Sequence, residues 1–300
     1  MGEIFDALRR AELSDEARKP APDGLPPAPD VSTPSPAPFV PAVPPGAMLH
    51  PDDVEKPDDL PDAGPRVELS TELIADWVAR AVLAAPTSNA ASRFRHAALR
   101  VRHALQKAGG SLLAISSANA GEGKTTSSCN LALALASMTS GGSIALVDVD
   151  LRSPRVASAL GVAFEVGFEQ VLSGEASLFE ARIRTQFEAL DLYPAHSWGR
   201  DAHELLADAR TGEVLRDLGS RYDAVVLDCP PVLPVPDARL ISDHTHACML
   251  VVRAGSTRAR ALEEALRHLE HAGVAGVFVN CLERGGATSY YRAYGEEEES

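Results

Sequence analysis

The sequence contains no run of about 18 apolar residues, so no segment reads as a membrane-spanning helix. No hydrophobic signal core follows the first residues, which points to a protein of the cytoplasm. Cysteine is scarce: Cys129, Cys229, Cys248 and Cys281 lie far apart, with no CxxC or Cys/His ligand spacing. Disulfide frameworks and zinc sites are therefore unsupported, and four buried thiols in a reducing compartment are expected. Positive charge is also short. Against 42 Asp+Glu stand 28 Lys+Arg, a formal charge of -14. That excludes a chain whose bulk is a basic surface for nucleic acid. Only four lysines occur: Lys19, Lys56, Lys107 and Lys124. Aromatic residues are 5% of the chain, so any cluster of them stands out.

What is present is unevenly placed. Residues 1–19 carry a charge of -1, residues 20–65 carry -7 and Glu296 to Glu299 add -4, which leaves only -2 for residues 66–295. Fifteen of the 22 prolines also fall in residues 20–65. Proline removes a backbone donor and fixes φ, and the segment has too little apolar surface to offset chain entropy. An extended linker over 20–66 is expected. Before it, Ile4, Phe5 and Leu8 have helical spacing, which predicts a short amphipathic docking helix over 1–19. A catalytic domain is expected over 67–284 and an acidic, tyrosine-containing tail over 285–300.

Within the domain, helices are expected over 68–85 and 90–107. Continuously apolar runs follow at 111–116, 144–148, 224–228, 247–252 and 274–280, with a further strand near 190–193. Helical stretches at 125–138 and 259–271 alternate with them. Strands that are apolar on both faces and alternate with helices imply a parallel sheet between two helix layers. The fold class is thus α/β, a doubly wound parallel sheet of the P-loop nucleotide-binding kind.

The sharpest motif is Ala118-Asn-Ala-Gly121-Glu122-Gly123-Lys124-Thr125-Thr126, between the first strand and the following helix. A loop there aims backbone N–H groups at phosphates, and Gly121 and Gly123 allow close approach. Lys124 can reach the β- and γ-phosphates and Thr125 can hold Mg²⁺. Asp148 and Asp150 end the second run and Asp228 ends the 224–228 run. Ligands of open α/β sheets bind at that edge, and carboxylates suit Mg²⁺. MgATP is the expected ligand.

These segments resemble the Walker A, A′ and B motifs of the bacterial protein-tyrosine kinases, autokinases of capsule and exopolysaccharide assembly. Ser116-Ser117-x-x-x-Gly121-Glu-Gly-Lys-Thr is similar to the family's T-S-x-x-P-G-E-G-K-[ST]. Val147-Asp-Val-Asp-Leu-Arg152-Ser-Pro is similar to its I-D-x-D-L-R-x-P. Tyr222-Asp-Ala-Val-Val-Leu-Asp228-Cys-Pro-Pro is similar to its Y-D-x-V-I-I-D-T-P-P, and Asp237-Ala238 follows. The likeness covers roughly residues 89–294.

The resemblance implies a transferase using ATP and Mg²⁺. Gly121, Glu122, Gly123, Lys124, Thr125 and Thr126 would cradle the nucleotide, and Asn280 would face the base. Asp148 would take the proton from a tyrosine hydroxyl. Asp150, Asp228 and Thr125 would hold Mg²⁺, and Lys124 and Arg152 would complete the constellation. Tyr290, Tyr291 and Tyr294, three of five tyrosines in the chain, would be the autophosphorylation targets. The implied partners are a separate transmembrane polysaccharide co-polymerase that acts as activator, further copies phosphorylated in trans, and a cognate tyrosine phosphatase, with no nucleic acid. The implied location is the inner face of the cell membrane. The family's E-x-x-R-x-x-R oligomerisation motif is lost at Ser92-Arg-Phe-Arg95-His-Ala-Ala98, though Arg93, Arg95, Arg100 and Arg102 keep that helix basic. Two other readings are a partitioning or septum-placement ATPase switch and a regulatory ATP-binding relative with weak transfer. Switches of that kind carry a lysine where this loop has Asn119.

Overall fold

In the computed structural model, the described residues are 66–69, 81–139 and 142–281. The expected N-terminal helix, most of the linker, the 70–80 part of the first domain helix and the tyrosine tail lie outside them. The elements are α1 (Ala81–Ala84), α2 (Asn89–Ala108), β1 (Leu112–Ser117), α3 (Lys124–Ser137), β2 (Ile144–Asp148) and α4 (Val156–Leu160). Then come α5 (Phe168–Ser173), α6 (Leu178–Ala181), β3 (Ile183–Arg184), β4 (Leu190–Tyr193), α7 (Ala202–Ala207) and α8 (Ala209–Arg221). The chain closes with β5 (Ala224–Asp228), α9 (Asp237–Ser242), β6 (Ala247–Arg253), α10 (Ala259–His268) and β7 (Val274–Asn280).

The seven strands lie in the order β3-β4-β2-β5-β1-β6-β7. All neighbours are parallel except β3, which runs antiparallel to β4 through Ile183 and Leu192. The sheet is therefore mixed, not wholly parallel. A two-residue strand leaves too little apolar pattern to be read from sequence. The α10 helix also stops at His268, three residues short of the expected end.

Side chains alternate across the sheet, so each strand feeds both layers. Leu112, Ala145 and Val225 pack on one face with Leu215, Leu218 and Leu262. Leu113, Leu146 and Val226 pack on the other with Phe94, Val101, Leu131 and Leu160. Burial on both faces is why the strands carry no polar alternation. Among the described residues, no helix is long and apolar enough to cross a membrane. Cys129, Cys229 and Cys248 are buried as expected, but Cys281 is exposed, because it lies just past the end of β7.

The start of the sheet is clamped by one residue. His246 donates its backbone N–H to Leu112 O and accepts the Leu112 N–H on Nδ1, both at 3.0 Å. Burial pushes this imidazole below its ordinary value of 6.5. Below pH 6.5 the unfolded chain takes up a proton that the folded form refuses, so stability falls as pH drops. The midpoint of urea unfolding should decline on acidification, and His246→Asn should flatten that decline. An unchanged slope in the variant would contradict the assignment. His244 is shifted downward by burial as well, so some decline should remain.

Candidate functional site

The parallel register sets Asp148 beside Asp228 and Ile115 beside Asp228, which brings the three strand ends together. The loop after β1 then has its glycines in the left-handed region, Gly121 at φ 80° and Gly123 at φ 95°. L-residues with a Cβ pay about 1–2 kcal/mol there. A Cβ on Gly123 would also run into the Asn280 amide. Gly123→Ala should therefore weaken nucleotide binding by about tenfold or more, as about 1.4 kcal/mol is a factor of ten. Calorimetric titration with MgADP checks this, and an unchanged affinity would count against the loop as the phosphate cradle.

Lys124, the first residue of α3, places Nζ 2.6 Å from Asp150 Oδ2. Burial lowers the affinity of this ammonium for its proton, but the charges of Asp228 and Asp150 outweigh it, and the net shift is upward. Thr125 donates to Asp228 Oδ2 at 2.7 Å and Ser128 to Oδ1 at 2.9 Å. Burial pushes the Asp228 carboxyl up, against the pull of Lys124. A cavity of about 490 Å³ opens in front of this group, walled by the loop, Lys124, Thr125, Asp150, Arg152 and Arg155.

Asp148 ends β2, deeper than Asp150. It is 0% exposed and lies behind the cavity wall. Its Oδ2 accepts from the backbone N–H of Arg155 at 2.8 Å and of Val156 at 2.9 Å, and its Oδ1 from Asp150 at 3.2 Å. The carboxylate thus fastens the turn that leads into α4. Burial first, then the neighbouring charge of Asp228, raises its pKa well above the ordinary carboxylate value. Asp150 and Lys124, not Asp148, front the cavity.

Glu122 and Asn280 likewise turn toward the loop itself. The Glu122 carboxylate, 4% exposed, accepts from Thr257 Oγ1 at 2.7 Å and from Asn119 N at 3.1 Å. Asn280 donates Nδ2 to the Glu122 carbonyl at 3.1 Å, so it braces backbone. Arg253 adds a donor to Gly121 O at 3.3 Å. Thr257 and Arg253 were not legible as site residues, because no local motif marks a residue that meets the loop from about 130 positions away. Arg155 was missed as well, although it stands one residue past the Arg152-Ser-Pro154 run.

Arg152 is held in a fork by Asp237, Nε to Oδ2 at 2.6 Å and Nη2 to Oδ1 at 3.3 Å. His203 Nδ1 meets Asp237 Oδ1 at 3.1 Å. The fork fixes a permanent cation on the cavity wall. The whole arrangement offers what a magnesium–nucleotide needs: a loop of backbone donors, an ammonium, an arginine, a hydroxyl and carboxylate oxygens. No three His, Cys, Asp or Glu side chains among the described residues converge as a metal cage. Mg²⁺ is usually held through one or two carboxylates together with substrate phosphates, and Asp150 at the cavity wall is a carboxylate of that kind.

Several known proteins resemble this chain. A family model described as an AAA domain matches residues 110–245. The chain is 29% identical over 207 residues to the tyrosine-protein kinase wzc of Salmonella typhi, which is 68% of this chain and 28% of that protein. Among solved structures, it resembles the kinase domain of the Escherichia coli tyrosine kinase ETK, with 25% identity and a TM-score of 0.64. That match covers 70% of this chain and 82% of the other. The kinase domain of VpsO is 31% identical, with a TM-score of 0.57, 64% of this chain covered and 98% of the other. The chain spans about a third or less of the length of the EpsB and wzc relatives.

Proposed function

Because the chain belongs to the bacterial tyrosine-protein kinases, we propose that it transfers the γ-phosphoryl group of MgATP to tyrosines of its own C-terminal segment. The observation that carries this is that Lys124, Thr125 and Asp150 line one cavity at the strand ends, with the buried Asp228 accepting from Thr125 directly behind it. Phosphoryl transfer asks mainly for positioning and charge neutralisation, and that is what this cluster supplies. The loop N–H groups and Lys124 hold the β- and γ-phosphates. Bound Mg²⁺ would neutralise charge on the phosphates, with Thr125, Asp150 and Asp228 around it. Arg152, steadied by Asp237, and Arg155 add positive charge on the opposite wall. A bond forms between the tyrosine oxygen and the γ-phosphorus, the bond from that phosphorus to the bridging oxygen breaks, and ADP leaves. Asp148 remains the proposed acceptor of the hydroxyl proton, seated behind Asp150 with one oxygen on the N–H groups of the turn into α4.

The tyrosine inventory supports the tail as target. Tyr193 and Tyr222 are buried, with their hydroxyls 2.9 Å apart, and Tyr222 donates to Asp191 at 2.8 Å. Burial first pushes both phenols upward. Neither can enter a cavity, which leaves Tyr290, Tyr291 and Tyr294. A membrane-anchored activator and a role in exopolysaccharide assembly complete the reading, as does reversal by a tyrosine phosphatase. The test is incubation of the purified chain with MgATP, with and without a candidate activator segment, followed by mapping of phosphotyrosine. Signal at Tyr290, Tyr291 or Tyr294 is expected. Phosphate release without phosphotyrosine under either condition would favour a nucleotide-gated switch instead.

A further inference from the structure

The α2 helix carries five Arg or Lys residues and no acid. Arg93, His96, Arg100, His103 and Lys107 follow one another at steps of three and four, and all five are exposed. That spacing lays them on one face as a stripe roughly 21 Å long. None of them pairs with an acid among the described residues. Like charges stacked at this spacing destabilise a helix. Leu99, 45% exposed, lies between them as an apolar foothold.

We propose that this stripe docks the chain's own C-terminal segment, residues 286–300, after its tyrosines have been phosphorylated. Three features of the molecule select that occupant. The segment holds Glu296 to Glu299 against a single base, Arg292, so its charge is opposite to that of the stripe. Each phosphotyrosine adds roughly -1.5 to -2, along with acceptor oxygens that suit arginine. The segment also leaves from close to this helix, on its buried side, and is long enough to reach round it. Phe278 of β7 stacks on Phe94 of α2 with ring centroids 5.0 Å apart, and the described chain ends three residues later at Cys281. The stretch from Cys281 to Glu296 can extend about 50 Å, more than twice the stripe. Docking on α2 would hold a phosphorylated tail away from the nucleotide cavity and free that cavity for the next substrate. The inference extends the kinase reading, on which the source of the phosphates rests.

A synthetic peptide of residues 286–300, fluorescently labelled and phosphorylated on all three tyrosines, tests it without relying on the chain's own activity. Titrated with the full chain, it should bind about tenfold more weakly at 0.5 M than at 0.05 M salt. It should also bind about tenfold more weakly to Arg93→Glu/Arg100→Glu/Lys107→Glu, and the unphosphorylated peptide should bind less than the phosphorylated one. The corresponding triple glutamine variant, which removes charge without reversing it, should show an intermediate loss, and thermal unfolding confirms that both are folded. Carbodiimide coupling of the phosphorylated full chain should join Lys107 to Glu296–Glu299. Equal binding to the wild-type and triple variants overturns the proposal. So does binding lost only in Lys124→Met, which would place the tail in the nucleotide cavity, and so does coupling of Lys107 to residues 52–62 instead. Stripe-dependent binding to phosphatidylserine vesicles with no peptide binding would also overturn it and assign the face to a membrane.

Discussion

Lys124→Met should lower tyrosine phosphorylation by about 10²- to 10³-fold, the cost of losing one preorganised group that meets developing charge. Lys124 is the only lysine of the cavity wall, and its ammonium sits 2.6 Å from Asp150. Methionine keeps the length of the stem and its packing but loses the charge. Three carboxylates, Asp148, Asp150 and Asp228, would then face one another without their cation, so the nucleotide-free protein should also lose some stability. The two effects separate cleanly. Circular dichroism and thermal unfolding report the fold, while the rise in unfolding temperature on adding MgATP reports binding. The expected variant is folded, gains little from MgATP and gives almost no phosphotyrosine. Undiminished phosphotyrosine would mean that transfer does not pass through this loop.

Asp191→Ala should cost about 3–5 kcal/mol of folding stability, the usual effect of removing one partner of a buried ion pair. Asp191 accepts from Arg182 Nε at 2.7 Å and from the Tyr222 hydroxyl at 2.8 Å. The two charged side chains are only 11% and 8% exposed. Alanine would leave the guanidinium without this carboxylate and the Tyr222 hydroxyl without its acceptor. The pair lies at the strand starts, since Asp191 is abreast of Ala145, the second residue of β2. Nucleotide binding at the opposite edge should therefore be unaffected in whatever fraction remains folded. Replacing both partners with apolar residues, Arg182→Met with Asp191→Leu, should recover much of the loss. Denaturant unfolding measures each variant. A loss below about 1 kcal/mol would show that the pair behaves as a solvated surface contact.

Much of the frame was legible before any coordinates. The runs at 144–148, 190–193, 224–228 and 274–280 are strands with those ends; for β2 and β5 the reason is that a strand covered on both faces is apolar until its terminal aspartate. Helix α2 begins after Pro86 with Ser88 accepting from the Ala91 N–H at 3.1 Å, a start the sequence signals through residue chemistry alone. The glycines of the loop were legible for a similar reason, since positive φ restricts the residue type locally. By contrast, β3 escaped notice. It has two residues and exists only because β4 lies next to it.

Sequence alone determined that this chain is a layered α/β domain with a phosphate loop and carboxylates at neighbouring strand ends, since periodicity and local backbone demands are written residue by residue. Only the tertiary structure decided which way those side chains turn. Asp148 faces inward to the N–H groups of Arg155 and Val156, and Glu122 faces Thr257. Asp237 reaches back 85 positions to steady Arg152. Such pairings depend on strand order and register, and a buried carboxylate turns to whatever donors that packing supplies. The same packing placed Phe278 against Phe94 and so set the end of β7 on the buried face of the helix whose outer face carries the basic stripe.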